Sequence, residues 1–176
     1  ARAAILAAAE PPAAVDCSVR YLMAAFAARA GVSSAAGRVV FGRGVRAPLT
    51  VATDAPQTGP GVRGFEVHMP TKEARTAIGF SASPVIQTYM TPNHSPGVAN
   101  YVSMGGAGFI YPEGRASSGR YGEGDTVRCE LDFDAASVTF LVNGTRVGSA
   151  PWPHGARAWP AISSEGGEVV CEVNVF

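Results

Sequence analysis

The sequence has few charged residues, no basic block and no long apolar run, and each shortage excludes a class of protein. Charged residues make up 16% of the chain, and 14 basic and 14 acidic side chains give a formal net charge of zero. A neutral chain lacks the electrostatic signature of a nucleic-acid binder. No stretch approaches the roughly 18 apolar residues of a membrane-spanning helix, so we expect no membrane insertion. Hydrophobic residues still reach 47%, which is too many for a disordered chain.

Cysteine is scarce as well, with only Cys17, Cys129 and Cys171. An odd number of widely spaced cysteines, with no Cys-x-x-Cys pair, excludes a disulfide framework and the common zinc sites. Cys129 and Cys171 fall on the apolar side of alternating segments, which predicts that both thiols are buried. Buried, reduced cysteines favour an intracellular location, most simply the cytoplasm or an organelle matrix.

Residue sets for catalysis are missing from the sequence. The three histidines are far apart in the chain: His68, His94 and His154. No metalloprotease, nucleophile-elbow, phosphate-loop or dinucleotide-binding motif occurs. Two acidic pairs lie in predicted turns, Glu123 with Asp125 and Asp132 with Asp134, where carboxylates usually cap the backbone or are solvated. We therefore expect no enzyme activity, no catalytic residue, no metal and no cofactor.

The Ala-rich residues 1–37 form an N-terminal extension with one short predicted α-helix near 13–30. An apolar stripe at helical spacing supports this helix: Val15, Val19, Leu22, Met23 and Phe26. Pro11 and Pro12 can begin the helix, and Gly31 can end it. Two interpretations stay open, because the stripe can pack on this chain's own domain or dock on a partner protein.

From residue 38 onward the apolar pattern changes to a period of two. Short strands are predicted near 38–42, 48–53, 63–69, 76–81, 99–103, 107–111, 126–133, 137–142, 158–162 and 168–175. Turn-forming residues separate them, since the chain contains 21 Gly and 13 Pro. The clearest pair of strands is 126–133 with 137–142, and directly after it Asn143 and Gly144 predict a type I′ turn. Regular short strands without a second helix indicate an all-β domain over 38–176, an antiparallel sandwich of two sheets.

The last sixty residues resemble the SPRY (B30.2) domain family. The resemblance rests on motifs that occur in the family's order and spacing: Tyr121-Gly-Glu-Gly-Asp125, Cys129-Glu-Leu-Asp132, Val138-Thr-Phe140, Asn143-Gly144 and Trp159-Pro-Ala-Ile-Ser163. Upstream, Gly64-Phe-Glu-Val67 and Ala77-Ile-Gly-Phe-Ser81 look like two further strands of the family. The resemblance implies a concanavalin-like jelly roll that binds another protein or peptide through the loops at one edge.

Candidate binding residues come from the resemblance and from the loops. Arg46-Ala-Pro48 resembles an Arg-x-Pro element that SOCS-box members use for short peptides, and Tyr89 falls where those members place a ligand-contacting tyrosine. Aromatic, Met and Arg side chains in loops are common interface anchors, which adds Met90, Arg115 and Trp152. For Trp152, the alternative is that it covers the end of the core.

The sequence thus predicts a non-catalytic protein-interaction module, either a recognition module or a subunit of an assembly. Two other functions stay open. One is a lectin-like sandwich that binds carbohydrate, although its usual calcium-holding Asp and Asn cluster is not evident in the sequence. The other is a purely architectural subunit of a larger complex.

Overall fold

Two antiparallel sheets face each other across one hydrophobic core. The structure is a computed structural model that describes residues 32–35, 37–43, 49–53, 55–83 and 101–176. Every regular element within these ranges is a β-strand, and each sheet has seven strands paired antiparallel. The predicted all-β sandwich is confirmed. The predicted helix near 13–30 lies outside the described residues.

The first and the last of the described strands, β1 and β14, belong to the same sheet. The first sheet has the order β1 (Val32–Ala35), β2 (Arg38–Phe41), β14 (Val169–Val175), β5 (Val62–Lys72), β10 (Thr126–Asp132), β11 (Ser137–Val142) and β12 (Thr145–Pro151). The second sheet has the order β3 (Leu49–Ala52), β13 (Arg157–Glu165), β6 (Arg75–Ser81), β7 (Tyr101–Gly105), β8 (Phe109–Tyr111) and β9 (Arg115–Ala116), with β4 (Gln57–Thr58) also paired to β13.

Each of the ten predicted strands overlaps an observed strand, and four strands were not predicted. Three of the four are short edge strands: β1, β4 and β9. The fourth, β12, has Gly148 where a strand would usually carry a side chain, because a Cβ there would collide with Ile110. β1 also lies within the segment assigned to the extension, so the sheet begins at Val32; the limit at residue 37 stays a prediction.

Alternating side chains of the two sheets fill the core. Phe80 is fully buried at its centre, and its ring meets Phe65 edge-on at 5.2 Å between centroids and Trp152 at 6.2 Å. Cys129 and Cys171 are buried and free, as predicted. Loss of water around each thiol raises its pKa, for Cys171 to about 12. Both sulfurs are therefore inert core groups.

The predicted turn chemistry is confirmed at two hairpins. Asn143 and Gly144 have φ values of 49° and 78°, the two left-handed residues of a type I′ turn between β11 and β12. In the preceding turn, the Asp132 carboxylate accepts hydrogen bonds from the backbone N–H groups of Asp134 and Ala135, both at 2.9 Å. Asp132 is thus a capping group, as the sequence indicates.

The turns between strands lie at two opposite ends of the sandwich. The turns β5–β6, β7–β8 and β13–β14 lie at one end, which we call the Lys72 end. The turns β8–β9, β10–β11 and β12–β13 lie at the opposite end, which we call the Trp152 end. Any binding site built from loops must therefore be assigned to one of these two ends.

We expect Phe80→Ala to lower the free energy of unfolding by about 3–5 kcal/mol, because it removes a fully buried ring and leaves a cavity. Phe109→Ala is the matched control, since Phe109 is 42% exposed and should change stability little. Chemical denaturation of both variants measures the difference. Equal losses in the two variants would contradict the assignment of the core.

Candidate binding site

The Lys72 end carries an open groove of about 770 Å³. Its floor is the bare backbone of Gly105 and Gly106, at the end of β7. Tyr121 forms one side, and the ring of Phe109 is 42% exposed beside it. Three cationic side chains also line the groove: Lys72, Arg75 and Arg120. A concave surface with aromatic walls and convergent charged groups is typical of a ligand-binding site.

Buried hydrogen bonds of Tyr121 hold the groove in shape. The Tyr121 hydroxyl lies 3.0 Å from the carbonyl oxygens of Thr76 and Met104, between which its single proton is shared, and it accepts from the Thr76 hydroxyl at 3.3 Å. The backbone N–H of Tyr121 also bonds to the Gly106 carbonyl at 3.3 Å. These contacts fasten the loop 117–125 to β6 and β7 of the second sheet.

Lys72, the only lysine of the chain, lies along the wall of this groove. Its ammonium is 5.8 Å from the centroid of the Tyr121 ring. A Cβ on Gly106 would lie 3.3 Å from the Lys72 nitrogen. The absence of a side chain at position 106 therefore gives the ammonium the space that it occupies. Partial burial lowers the pKa of Lys72 below its ordinary value of 10.5. The groove therefore holds a cation that has lost part of its water.

Asp125 organises the loop that borders the groove. Its carboxylate accepts a hydrogen bond from the Asn143 side chain at 2.8 Å and another from the Gly122 backbone at 2.7 Å. Asn143 in turn accepts a bond from the Thr126 backbone at 3.0 Å. The Asn143 bond first, and the Gly122 bond second, lower the pKa of Asp125. Asp125 thus remains ionised and fixes the loop to the β11–β12 turn.

An ion cluster joins three segments at the rim of the groove. Arg43 contacts the carboxylates of Glu73 at 2.9 Å and Glu168 at 3.3 Å. The Glu73 backbone also donates to the Glu168 carbonyl at 2.8 Å. All three side chains are substantially exposed, so the ion pairs add little stability. They pair Glu73, which lines the groove, with Arg43 rather than with a cation of the groove.

The Trp152 end is closed by aromatic packing. Trp152 is 2% exposed, its indole N–H donates to the Gly155 carbonyl at 2.9 Å, and the His154 ring meets it edge-on at 4.9 Å. Burial lowers the pKa of His154 below 6.5. A cleft of about 90 Å³ beside these residues is lined by Pro112, Pro153 and neighbours. This cleft between described residues is much smaller than the groove at the Lys72 end.

The structure places two of the six predicted binding residues. Trp152 has the buried position of the core-covering alternative, and Arg115 is an exposed side chain paired with Glu113 at 2.7 Å. Both are at the Trp152 end. Four residues lie outside the described ones: Arg46, Pro48, Tyr89 and Met90. For all six, a contact with a partner was inferred from the sequence alone.

The groove itself was not predicted from the sequence. Lys72 is recognisable there only as an isolated lysine among arginines, and Tyr121 only as part of the fold motif. A usable signal does exist, because Lys72 and Arg75 flank the short turn between two long strands. Cations on both sides of a tight turn must emerge at the same sheet end.

Within the described ranges, no three His, Cys, Asp or Glu side chains are grouped so that they could hold a metal ion. The described part of the chain also contains no helix long and apolar enough to cross a membrane.

We expect the Lys72 ammonium to titrate with a midpoint below 10.5, because burial disfavours its charged form. As the chain has one lysine, protein labelled with ¹³C at lysine Cε gives a single lysine resonance that needs no assignment. Its chemical shift against pH gives the midpoint. A value at or above 10.5 would contradict the burial of the ammonium as the dominant effect.

Asp125 should stabilise the fold above its ordinary pKa of 3.8, and this contribution should disappear as the pH falls through its lower folded-state pKa. The difference in unfolding free energy between the native chain and Asp125→Asn should therefore be present near neutral pH and vanish in acid. Asn143→Gly keeps the left-handed backbone but removes the amide donor, so it should raise the pKa of Asp125. A difference that persists unchanged into acid would refute the role of ionised Asp125.

Known structures share this fold at low sequence identity. The crystal structure of the SPRY domain of human HERC1 matches with a TM-score of 0.64 and 17% identity, over 82% of this chain and 91% of that chain. A crystal structure of a human SPRY domain gives 0.61 and 19%, over 82% and 94%. The stonustoxin structure gives 0.58 and 11%, over 82% of this chain and 25% of that one. These similarities show the fold alone.

Sequence comparison identifies the family. No curated protein matches this sequence significantly. The SPRY domain model, however, matches residues 62–174, which is well over half of the chain. This range includes every motif from which the resemblance was drawn in the second half of the sequence. The chain therefore belongs to the SPRY domain family.

Proposed function

We propose that this chain is a non-catalytic protein-interaction module that binds a partner protein or peptide in the groove at the Lys72 end. The SPRY fold is commonly a protein-interaction module, which supports the general function. The observation that carries the location is the groove itself, about 770 Å³ in volume and bordered by the exposed ring of Phe109. Exposed aromatic and Arg side chains around a concave surface are common binding anchors.

The rigidity of the groove supports binding without a large ordering cost. Its floor belongs to β7, and buried hydrogen bonds of Tyr121 fix its side. A preformed site spends less conformational entropy on binding than a loop that must fold around its ligand. The proposal also includes Arg46 and Pro48, since they lie between β2 and β3, whose adjoining ends Phe41 and Leu49 are at the Lys72 end.

The Trp152 end does not enter the proposed site. Trp152 is already covered, and Arg115 already pairs with Glu113. We further propose that the module works inside the cell, as a recognition module or as a subunit of an assembly. The two free, buried cysteines support an intracellular, most simply cytoplasmic, location.

We expect Phe109→Ala and Arg120→Ala each to weaken partner binding about tenfold or more, as the loss of an interface anchor does. Peptides selected from a random phage-displayed library on the purified chain provide the ligands, and calorimetry measures their affinity. Arg115→Ala is the matched control, because it removes an exposed arginine at the opposite end. The thermal midpoints of all three variants should stay close to that of the native chain.

The contrary result is equally specific. If Arg115→Ala abolished binding while Phe109→Ala and Arg120→Ala left it unchanged, the site would be at the Trp152 end. If no peptide were selected at all, peptide binding by this domain would be refuted.

A further inference from the structure

Three cationic side chains line the groove at the Lys72 end. Among the described residues, no carboxylate lies within ion-pair distance of Lys72, Arg75 or Arg120, although Arg43, Arg115 and Arg128 elsewhere each have a glutamate partner. Arg75 and Arg120 are exposed and keep their water. Lys72 is different, because it is partly buried. Partial loss of water without a compensating ion pair is unfavourable for an ammonium group.

The carboxylates that line the same groove are engaged by other groups. Glu73 pairs with Arg43 at 2.9 Å, and Asp125 accepts bonds from Asn143 and Gly122. Glu165 also has an interaction of its own. These acids balance the formal charge of the three cations, so the groove has no broad positive field. Any anion must therefore be recognised locally, by direct contact with a cation.

Lys72 is the cation best placed for such a contact. Its ammonium lies against Gly106 and over the ring of Tyr121. The Glu123 carboxylate accepts a bond from the Lys72 backbone N–H at 3.4 Å, whereas no described residue forms a hydrogen bond with the ammonium itself. A carboxylate entering the groove would form charge-assisted hydrogen bonds with this ammonium in a partly water-excluded site. The exposed ring of Phe109 lines the same groove and can receive an apolar side chain of the ligand.

We infer that the groove binds a peptide segment that carries an acidic side chain next to an apolar one, with the carboxylate on Lys72 and the apolar group on Phe109. The inference rests on the proposed function and specifies the chemistry of the partner. A singly charged carboxylate fits better than a phosphate, since the acids that line the groove repel a dianion more strongly. The partner is therefore an acidic and apolar protein segment.

The test uses the library-selected peptides and asks which residues they contain. Peptides selected on the native chain should be enriched in Asp or Glu beside an aliphatic or aromatic residue. Replacing the acid by its amide in the peptide, and Lys72→Met in the protein, should each weaken binding about tenfold. The two changes together should cost little more than either alone, because they remove one shared contact.

Two controls separate charge from folding. Arg63→Ala removes an exposed arginine at the start of β5, away from the groove, and should leave the affinity unchanged. The thermal midpoint of Lys72→Met should match that of the native chain, so a loss of binding then reports the missing contact.

The outcomes distinguish this inference from the proposed function. Selected peptides that lack acidic residues, or that bind Lys72→Met as tightly as the native chain, would overturn the acidic specificity. If such peptides were still weakened by Phe109→Ala, the proposed function would stand. Selected peptides that are insensitive to every groove variant would overturn both.

Discussion

The buried hydroxyl of Tyr121 fixes the loop that borders the groove at the Lys72 end of the sandwich. By bonding to the carbonyls of Thr76 and Met104, it ties the loop 117–125 to two central strands of the second sheet. An unsatisfied hydroxyl at this depth would be costly, so the loop has a single favourable position. That position sets the width of the groove and presents the ring face near which Lys72 lies.

The two ends of the sandwich share one core but differ in what they leave open. At the Trp152 end, the indole ring completes the row of aromatics that begins with Phe65 and Phe80. Its polar N–H donates to the Gly155 carbonyl, so the buried indole has no unsatisfied polar group. At the Lys72 end, glycines at 105 and 106 leave backbone where side chains would otherwise fill the space. The packing therefore leaves an open groove at the Lys72 end.

The strands could be predicted because their side chains alternate between core and solvent. β10 and β11 show this fully, with every second residue buried, and the Asn143–Gly144 turn then pairs β11 with β12. The edge strand β12 was not predicted because its residues do not alternate between core and solvent in this way. β12 contains Gly148 and Pro151, whose strand character depends on the neighbouring sheet and on Ile110 rather than on local preference.

The groove could not be predicted by the same means, because it is formed by residues distant in sequence. Lys72 and Tyr121 meet only after β5 and β10 have paired and the loop between β9 and β10 has turned back onto β6. Aromatic and arginine residues in loops were the basis of the binding residues predicted from the sequence. They did not indicate which end is closed, since Trp152 is drawn into the core by contacts with Phe80 and His154.

The most direct test of the central claim is a map of backbone amide chemical shifts as a library-selected peptide is added to the isotope-labelled chain. The largest changes should fall on Gly105, Gly106 and the segment Arg120–Gly122, around the groove. The side-chain resonance of Lys72 should move in the same titration. Changes concentrated around Trp152 and His154, with the Lys72 end unaffected, would contradict it.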